Sequence, residues 1–135
     1  MLTFELAIPI RWGDMDAMGH VNNTVYFRYM EQVRISWFDR MGCTPNRAGC
    51  GPVIVNAACT FIRQFEYPGT VIARHYVGVF GRSSVETYID MLRSDVAGTV
   101  YARGSAKVVW VDFPNQRSAP LPDRIRTLMQ RRWNG

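Results

Sequence analysis

Cysteine is scarce in this chain and does not pair by spacing. Cys43, Cys50 and Cys59 are odd in number, and their gaps fit neither a disulfide framework nor paired C-x-x-C zinc knuckles. Free thiols in a reducing cytosol are the expectation. Long apolar runs are missing too. The densest stretches, around Val53–Val55 and Val108–Val111, are strand-sized, far short of the ~18 residues a membrane span requires. The opening MLTFELAIPI has no basic region followed by a continuous apolar stretch, so no secretory signal is expected. Lysine is almost absent: of sixteen basic residues, all but Lys107 are arginine, and the net charge is +5. Arginine favours phosphate and carboxylate contacts. The arginines are scattered, apart from Arg124, Arg126, Arg131 and Arg132, and form no basic stripe with interleaved aromatics, so no nucleic-acid partner is expected. Repeats, linkers and low-complexity tracts are likewise lacking. At 135 residues the chain reads as one domain, 1–135, long enough to bury roughly two thirds of its unfolded surface.

What is present falls into two periodicities. Phe4, Leu6, Ile8 and Ile10 alternate onto one face, the pattern of a half-buried strand. From Thr24 to Met41 the spacing becomes helical. Tyr26, Tyr29/Met30, Val33, Trp37 and Met41 form one stripe, and Arg28, Gln32, Ser36 and Asp39 the opposite one. Asn22, Asn23 and Thr24 are all suitable caps, and Gly42 suits the position just past the helix end. Four β-like runs follow, Val53–Phe65, Val71–Phe80, Val85–Arg93 and Thr99–Phe113, with turn signals between them. Pro122–Trp133 returns to helical spacing through Ile125, Leu128/Met129 and Trp133. Strand, long helix, four strands and a short helix make an α+β pattern, one antiparallel sheet on a single long helix.

Between the first strand and the helix lies an aperiodic polar loop within RWGDMDAMGHVNNTVYFRYMEQ, Arg11 to Gln32. Asp14, Asp16 and Gly19 match three positions of a calcium loop, but Met18 and Val25 stand where oxygen ligands are needed. Two carboxylates only two residues apart do not flank a glycosidic bond, no serine sits in a nucleophile elbow, and no Gly-Lys-Ser/Thr closes a phosphate loop. No metal site or bound organic cofactor is indicated. What remains is an acid facing a helix start. The free N–H groups of a first turn polarise a carbonyl and stabilise its oxyanion, and a nearby aspartate attacks that carbonyl or draws a proton from water. Asp and Asn before a helix also serve as plain caps, and His20 as an ordinary loop residue. The residues alone leave both standing.

The string Trp12-x-Asp14-x-Asp16, then Gly19-His20-Val21-Asn22-Asn23 and Tyr26, resembles the signature of the hot-dog-fold thioesterases, in the branch of the 4-hydroxybenzoyl-CoA and related acyl-CoA thioesterases. The element order fits that fold along almost the whole chain: about five antiparallel strands wrapped around a long central helix, with a short C-terminal helix. The resemblance implies that Asp16 is the catalytic carboxylate, with His20 in support. It implies that the backbone N–H of Asn23 polarises the thioester carbonyl. Arg82, Ser83 and Ser84, in the turn Gly81–Ser84, would hold CoA phosphates, and Tyr26, with Phe27 and Met30, would line the acyl tunnel. The implied reaction is hydrolysis of an acyl-CoA to a carboxylic acid and CoA, with CoA as part of the substrate. The His-Val-Asn-Asn form also resembles thioesterases acting on acyl-carrier-protein substrates, so the carrier stays open. A hydratase on the same fold is disfavoured because no Asn-Pro separates Asp16 from His20. A non-catalytic acyl-CoA-binding protein is the remaining alternative. The resemblance further implies a cytoplasmic homodimer with its site between subunits, or a dimer of dimers.

Overall fold

The computed structural model describes residues 1–44 and 46–135. The chain forms strand β1 (Leu2–Pro9), a 3-10 turn (Trp12–Asp14), helix α1 (Asn23–Arg40), strands β2 (Cys50–Phe61), β3 (Thr70–Phe80), β4 (Ser84–Arg93), β5 (Val100–Asp112) and β6 (Arg117–Ser118), and helix α2 (Asp123–Met129). All strand pairs are antiparallel, in the order β1-β3-β4-β5-β2, with β6 pairing only the end of β5. β1 and β2 are therefore the edges.

Helix α1 begins where local chemistry dictates. Asn22 is the N-cap, and its side chain accepts from the Thr24 N–H at 2.9 Å. Gly42 lies just past the other end with φ +69°. The expected apolar stripe is the buried one: Tyr26, Tyr29, Met30, Val33, Trp37 and Met41 are each at most 8% exposed. Each such side chain contributes about 1.5–3 kcal/mol through burial, which is what seats the helix on the sheet. Met30 of the helix reaches down onto Gly104 of β5. A Cβ there would stand 2.0 Å from the Met30 Sδ, so glycine leaves the room that the Met30 side chain fills.

Several expected boundaries move. The run expected as Val53–Phe65 is a strand only from Cys50 to Phe61. At its end Ile62 N and Arg63 N both donate to the Tyr101 carbonyl, which turns the chain out of the ladder. Phe65 is still fully buried, stacked on Tyr101 at 4.7 Å. The last helix ends at Met129 instead of reaching Trp133. Trp133 N donates to the Leu2 carbonyl, and its ring meets Phe4 edge-on, so tertiary contacts rather than a helix place it. The 3-10 turn and β6 have no counterpart in the sequence expectation.

β2 stands apart. Among the described residues its outer edge has no partner strand, and Ile54, Val55, Phe61 and Ile62, on or just beyond it, are 37–56% exposed. An open edge carrying apolar side chains is a surface that soluble proteins cover.

Candidate active site

The two acids of the polar loop have separate structural roles. Asp14 is buried. Its Oδ2 accepts from the Arg11 N–H (2.9 Å) and the Tyr29 hydroxyl (2.7 Å), and the Arg11 guanidinium stands 3.4 Å from Oδ1. Burial first, then the Asp14 carboxylate, push the Tyr29 phenol far up, so it stays a donor. Asp14 thus ties the 3-10 turn to the second turn of α1.

Asp16 is exposed. Met18 N donates to its Oδ1 at 2.9 Å and Asn22 Nδ2 to its Oδ2 at 3.1 Å. The backbone around it is knitted to itself: Asp16 N donates to the His20 carbonyl, Gly19 N to the Asp16 carbonyl, and Asn22 N to the Asp14 carbonyl, each at 3.0 Å. Gly19 takes φ +78°, a left-handed conformation that glycine adopts without steric cost. Val21 N then donates to the Phe65 carbonyl at 2.8 Å, pinning the loop to the chain beyond β2.

This loop and the start of α1 enclose an open pocket of about 240 Å³, lined by Asp16, Met18, His20, Val21, Asn23, Tyr26, Phe61 and Gln64. Four residues named from the sequence, Asp16, His20, Asn23 and Tyr26, therefore share one recess. The first turn offers a free donor there. Asn22 takes the Thr24 N–H with its side chain and the Val25 N–H with its carbonyl, whereas no acceptor among the described residues takes the Asn23 N–H. That amide sits at the positive end of an 18-residue helix, beside a carboxylate, in a pocket with apolar walls.

The other residues are placed differently. His20 Nε2 lies 3.3 Å from Glu66 Oε1, an ion pair when the imidazole is protonated. The Tyr26 hydroxyl accepts from Phe65 N at 3.2 Å and donates to the Arg63 carbonyl at 3.4 Å, so the phenol clamps the pocket wall and only its ring is free to face a ligand. Burial pushes its pKa up, partly offset by the Phe65 N–H. Met30 is fully buried beside Gly104, and Phe27 is half-buried. The turn bearing Arg82, Ser83 and Ser84 is not part of this pocket. The chain entering β3 adjoins the loop, where Ile10 N donates to the Gly69 carbonyl, and the turn lies at the strand's other end. It is firmly held. Leu121 N donates to the Arg82 carbonyl, Trp110 N to the Ser83 carbonyl, and Arg126 Nη2 to the Gly81 and Arg82 carbonyls. Gln64 went unnamed in the sequence because it lies in the run read as strand, Val53–Phe65, and Glu66 because it falls just beyond that run with no motif around it; the bend after Phe61 turns both toward the loop.

Among the described residues no three His, Cys, Asp or Glu side chains converge as a metal site, and no helix is long and apolar enough to cross a membrane.

An antiparallel sheet packed on one long helix, with an acid-bearing loop at that helix's start, fits the hot-dog class of fold. Residues 10–128 match the family model of the thioesterase-like superfamily, and the chain belongs to that superfamily, a family of thioester hydrolases. Among solved structures it is similar to the candidate thioesterase PA2801 of Pseudomonas aeruginosa, with 38% identity and a TM-score of 0.89 over 94% of this chain and 98% of that one. It also resembles a candidate acyl-CoA thioesterase of Xanthomonas campestris, with 28% identity and a TM-score of 0.77 over 90% and 100% of the two chains. The uncharacterized protein YsmA of Bacillus subtilis is 32% identical over 62 residues, a stretch covering 46% of this chain and 42% of YsmA.

Proposed function

We propose that this protein is an acyl-CoA thioesterase that converts a thioester and water into a carboxylic acid and the CoA thiol. The observation that carries this is the placing of the unaccepted Asn23 N–H and the Asp16 carboxylate on one small pocket. A thioester carbonyl oxygen pointed at that N–H gains a donor at a helix N-terminus, where negative charge is favoured. Asp16 then acts in one of two ways. It attacks the carbonyl carbon, expelling the thiolate and leaving a mixed anhydride that water hydrolyses. Alternatively it takes a proton from the water that attacks. Both give the acid, and the thiolate leaves with a proton from solvent. In single turnover in ¹⁸O-labelled water, an unlabelled acid with the label taken up by Asp16 identifies the anhydride route with water attacking the Asp16 carboxyl carbon, whereas the general-base route always labels the acid.

Arg82, Ser83 and Ser84 suit phosphate oxygens as donors. Their position at the far end of β3 from the loop fits service to the Asp16 of a partner subunit. The free β2 edge and its exposed apolar residues support a homodimer closed across that edge, with a dimer of dimers as the larger form. Three cysteines without disulfides fit a cytoplasmic setting. A net charge of +5 also suits an acidic carrier protein, which makes acyl-carrier-protein esters the second substrate class to assay.

The deciding experiment is thiol release from a panel of short, long and aromatic acyl-CoAs by the protein and by Asp16→Asn. The variant is expected to keep its fold and lose turnover by about 10²–10⁴. Normal turnover in Asp16→Asn removes the assignment. Tight acyl-CoA binding with no hydrolysis by the unmodified protein moves it to a binding role.

A further inference from the structure

Helix α1 carries a buried cation that the reaction above does not use. Arg34 is 7% exposed, and among the described residues it has no hydrogen-bond or ion-pair partner. The nearest carboxylate on its helix, Glu31, is engaged by Arg28 at 3.0 Å. Burial lowers the Arg34 pKa, and the Glu31 carboxylate offsets this in part. A guanidinium held this way, offset only by a carboxylate that another arginine already engages, suits a further anion placed against it.

Its surroundings are those of a binding recess. Arg34 lines an open cavity of about 430 Å³ between α1 and the start of β2, whose walls include Ile35, Phe38, Val53 and Ile54. The recess is continuous in direction with the Asp16 pocket. Eleven residues separate Asn23 from Arg34, which at 100° per residue returns to within about 20° of the same helix face, roughly 16 Å farther along the axis. Beside that face runs a strip of β2. Phe61, Cys59, Ala57 and Ile54 pair with Ala102, Gly104, Ala106 and Val108 of β5, all buried on the side facing α1. The β2 members lie beyond the helix's cover, so Phe61 and Ile54 are 45% and 37% exposed. An apolar track thus leads from Phe61, in the wall of the Asp16 pocket, to Ile54, in the wall of the Arg34 recess.

We propose that Arg34 is the distal anchor of the acyl site and selects acyl groups of medium length that end in a carboxylate. The thioester carbonyl lies at Asn23, the methylenes lie along the β2 strip, and the terminal carboxylate reaches the guanidinium, whose planar fork matches it. A carboxylate from a second copy of this chain is the competing source of charge. Among the described residues the only acid lining the recess is Glu31, already held by Arg28, and this favours the substrate.

This rests on the thioesterase reading, so the test separates the two. Thiol release is measured from pairs of CoA esters matched in length, one ending in methyl and one in carboxylate, alongside a short neutral ester. The wild type should favour the carboxylate-ended ester by about tenfold or more in kcat/KM, the scale of a charge-assisted hydrogen bond. In Arg34→Met that ratio should fall toward one, and Arg34→Lys should keep part of it. No preference in the wild type, or one retained in Arg34→Met, overturns the assignment of Arg34 while Asp16-dependent hydrolysis of the short ester stands. If size-exclusion chromatography shows Arg34→Met falling to a smaller species that loses both esters equally, Arg34 serves the subunit contact instead. Should that variant fail to fold, the wild-type ratio and Arg34→Lys decide. Failure of the wild type on every ester removes the thioesterase reading and this one with it.

Discussion

Asn23→Pro is the sharpest perturbation the site allows, because it deletes one N–H and very little else. Asn23 is the first residue of α1. Proline is well tolerated there, since its ring presets the helical φ and the missing N–H has no helical acceptor to lose. The residue before a proline must be extended, and Asn22 already is, at φ −60° and ψ 142°. The cap bonds from Thr24 and Val25 to Asn22 use other amides and remain. Stability should therefore move by no more than about 1 kcal/mol in either direction. Turnover should not survive so well. Loss of a single oxyanion donor costs about 10²–10³ in kcat, or about 2.7–4 kcal/mol of transition-state stabilisation. The assay is kcat on the best CoA ester from the panel, with circular dichroism and thermal melting on the same samples. A folded variant with kcat within threefold of wild type refutes the oxyanion role, where roughly 0.7 kcal/mol separates the two barriers. Asn23→Ala is the control, since it removes the side chain and keeps the N–H.

Three further outcomes test the fold around the site. His75 is fully buried, its Nδ1 2.9 Å from Thr3 Oγ1 and its ring against Trp37, and burial, then the Arg34 charge, lower its pKa to about 3. Its neutral form contributes fully above pH 6.5. As pH falls toward 3 the unfolded chain takes up a proton that the folded one refuses, so stability should drop by about 1.4 kcal/mol per pH unit from this group. Urea melts across that window should differ in slope from those of His75→Gln, and parallel curves would contradict the assignment. Tyr29→Phe removes the donor to buried Asp14 and should cost about 1.5–3 kcal/mol by urea unfolding, with the loss largely absent in an Asp14→Asn background. Gly104→Ala drives a methyl into Met30 and should cost about 1–3 kcal/mol, a penalty that a double-mutant cycle with Met30→Ala should relieve in part.

The start of α1 was readable because its cause is local: Asn22 caps, and a stripe of large apolar residues follows at once. The same holds for β1 and for the β3–β4 turn. Features made by distant contacts were not readable. Nothing near Phe65 announces that two amides will bend the chain onto the Tyr101 carbonyl, so an apolar run passes for strand. Trp133 sits at helical spacing, yet it is held by Leu2, Phe4 and the guanidinium of Arg40 stacked on its ring at 4.4 Å. In the site, Asp14 and Asp16 are the same residue type two positions apart. Only a resemblance to known thioesterases singled out the second, and Tyr29 and Arg11, which claim the first, become neighbours only in three dimensions. The burial of Arg34 had no local signal at all.

The hydrogen-bonded loop that carries Asp16 has one more consequence. Both carboxylate oxygens already have donors, and the backbone on either side of Asp16 is closed on itself and on Phe65. The rotamer freedom such a side chain would surrender on meeting a ligand has been surrendered at folding. A site assembled this way needs no lid to complete it, so differences in rate between substrates report how well each acyl group fits the track beside the helix rather than how readily the protein closes over it.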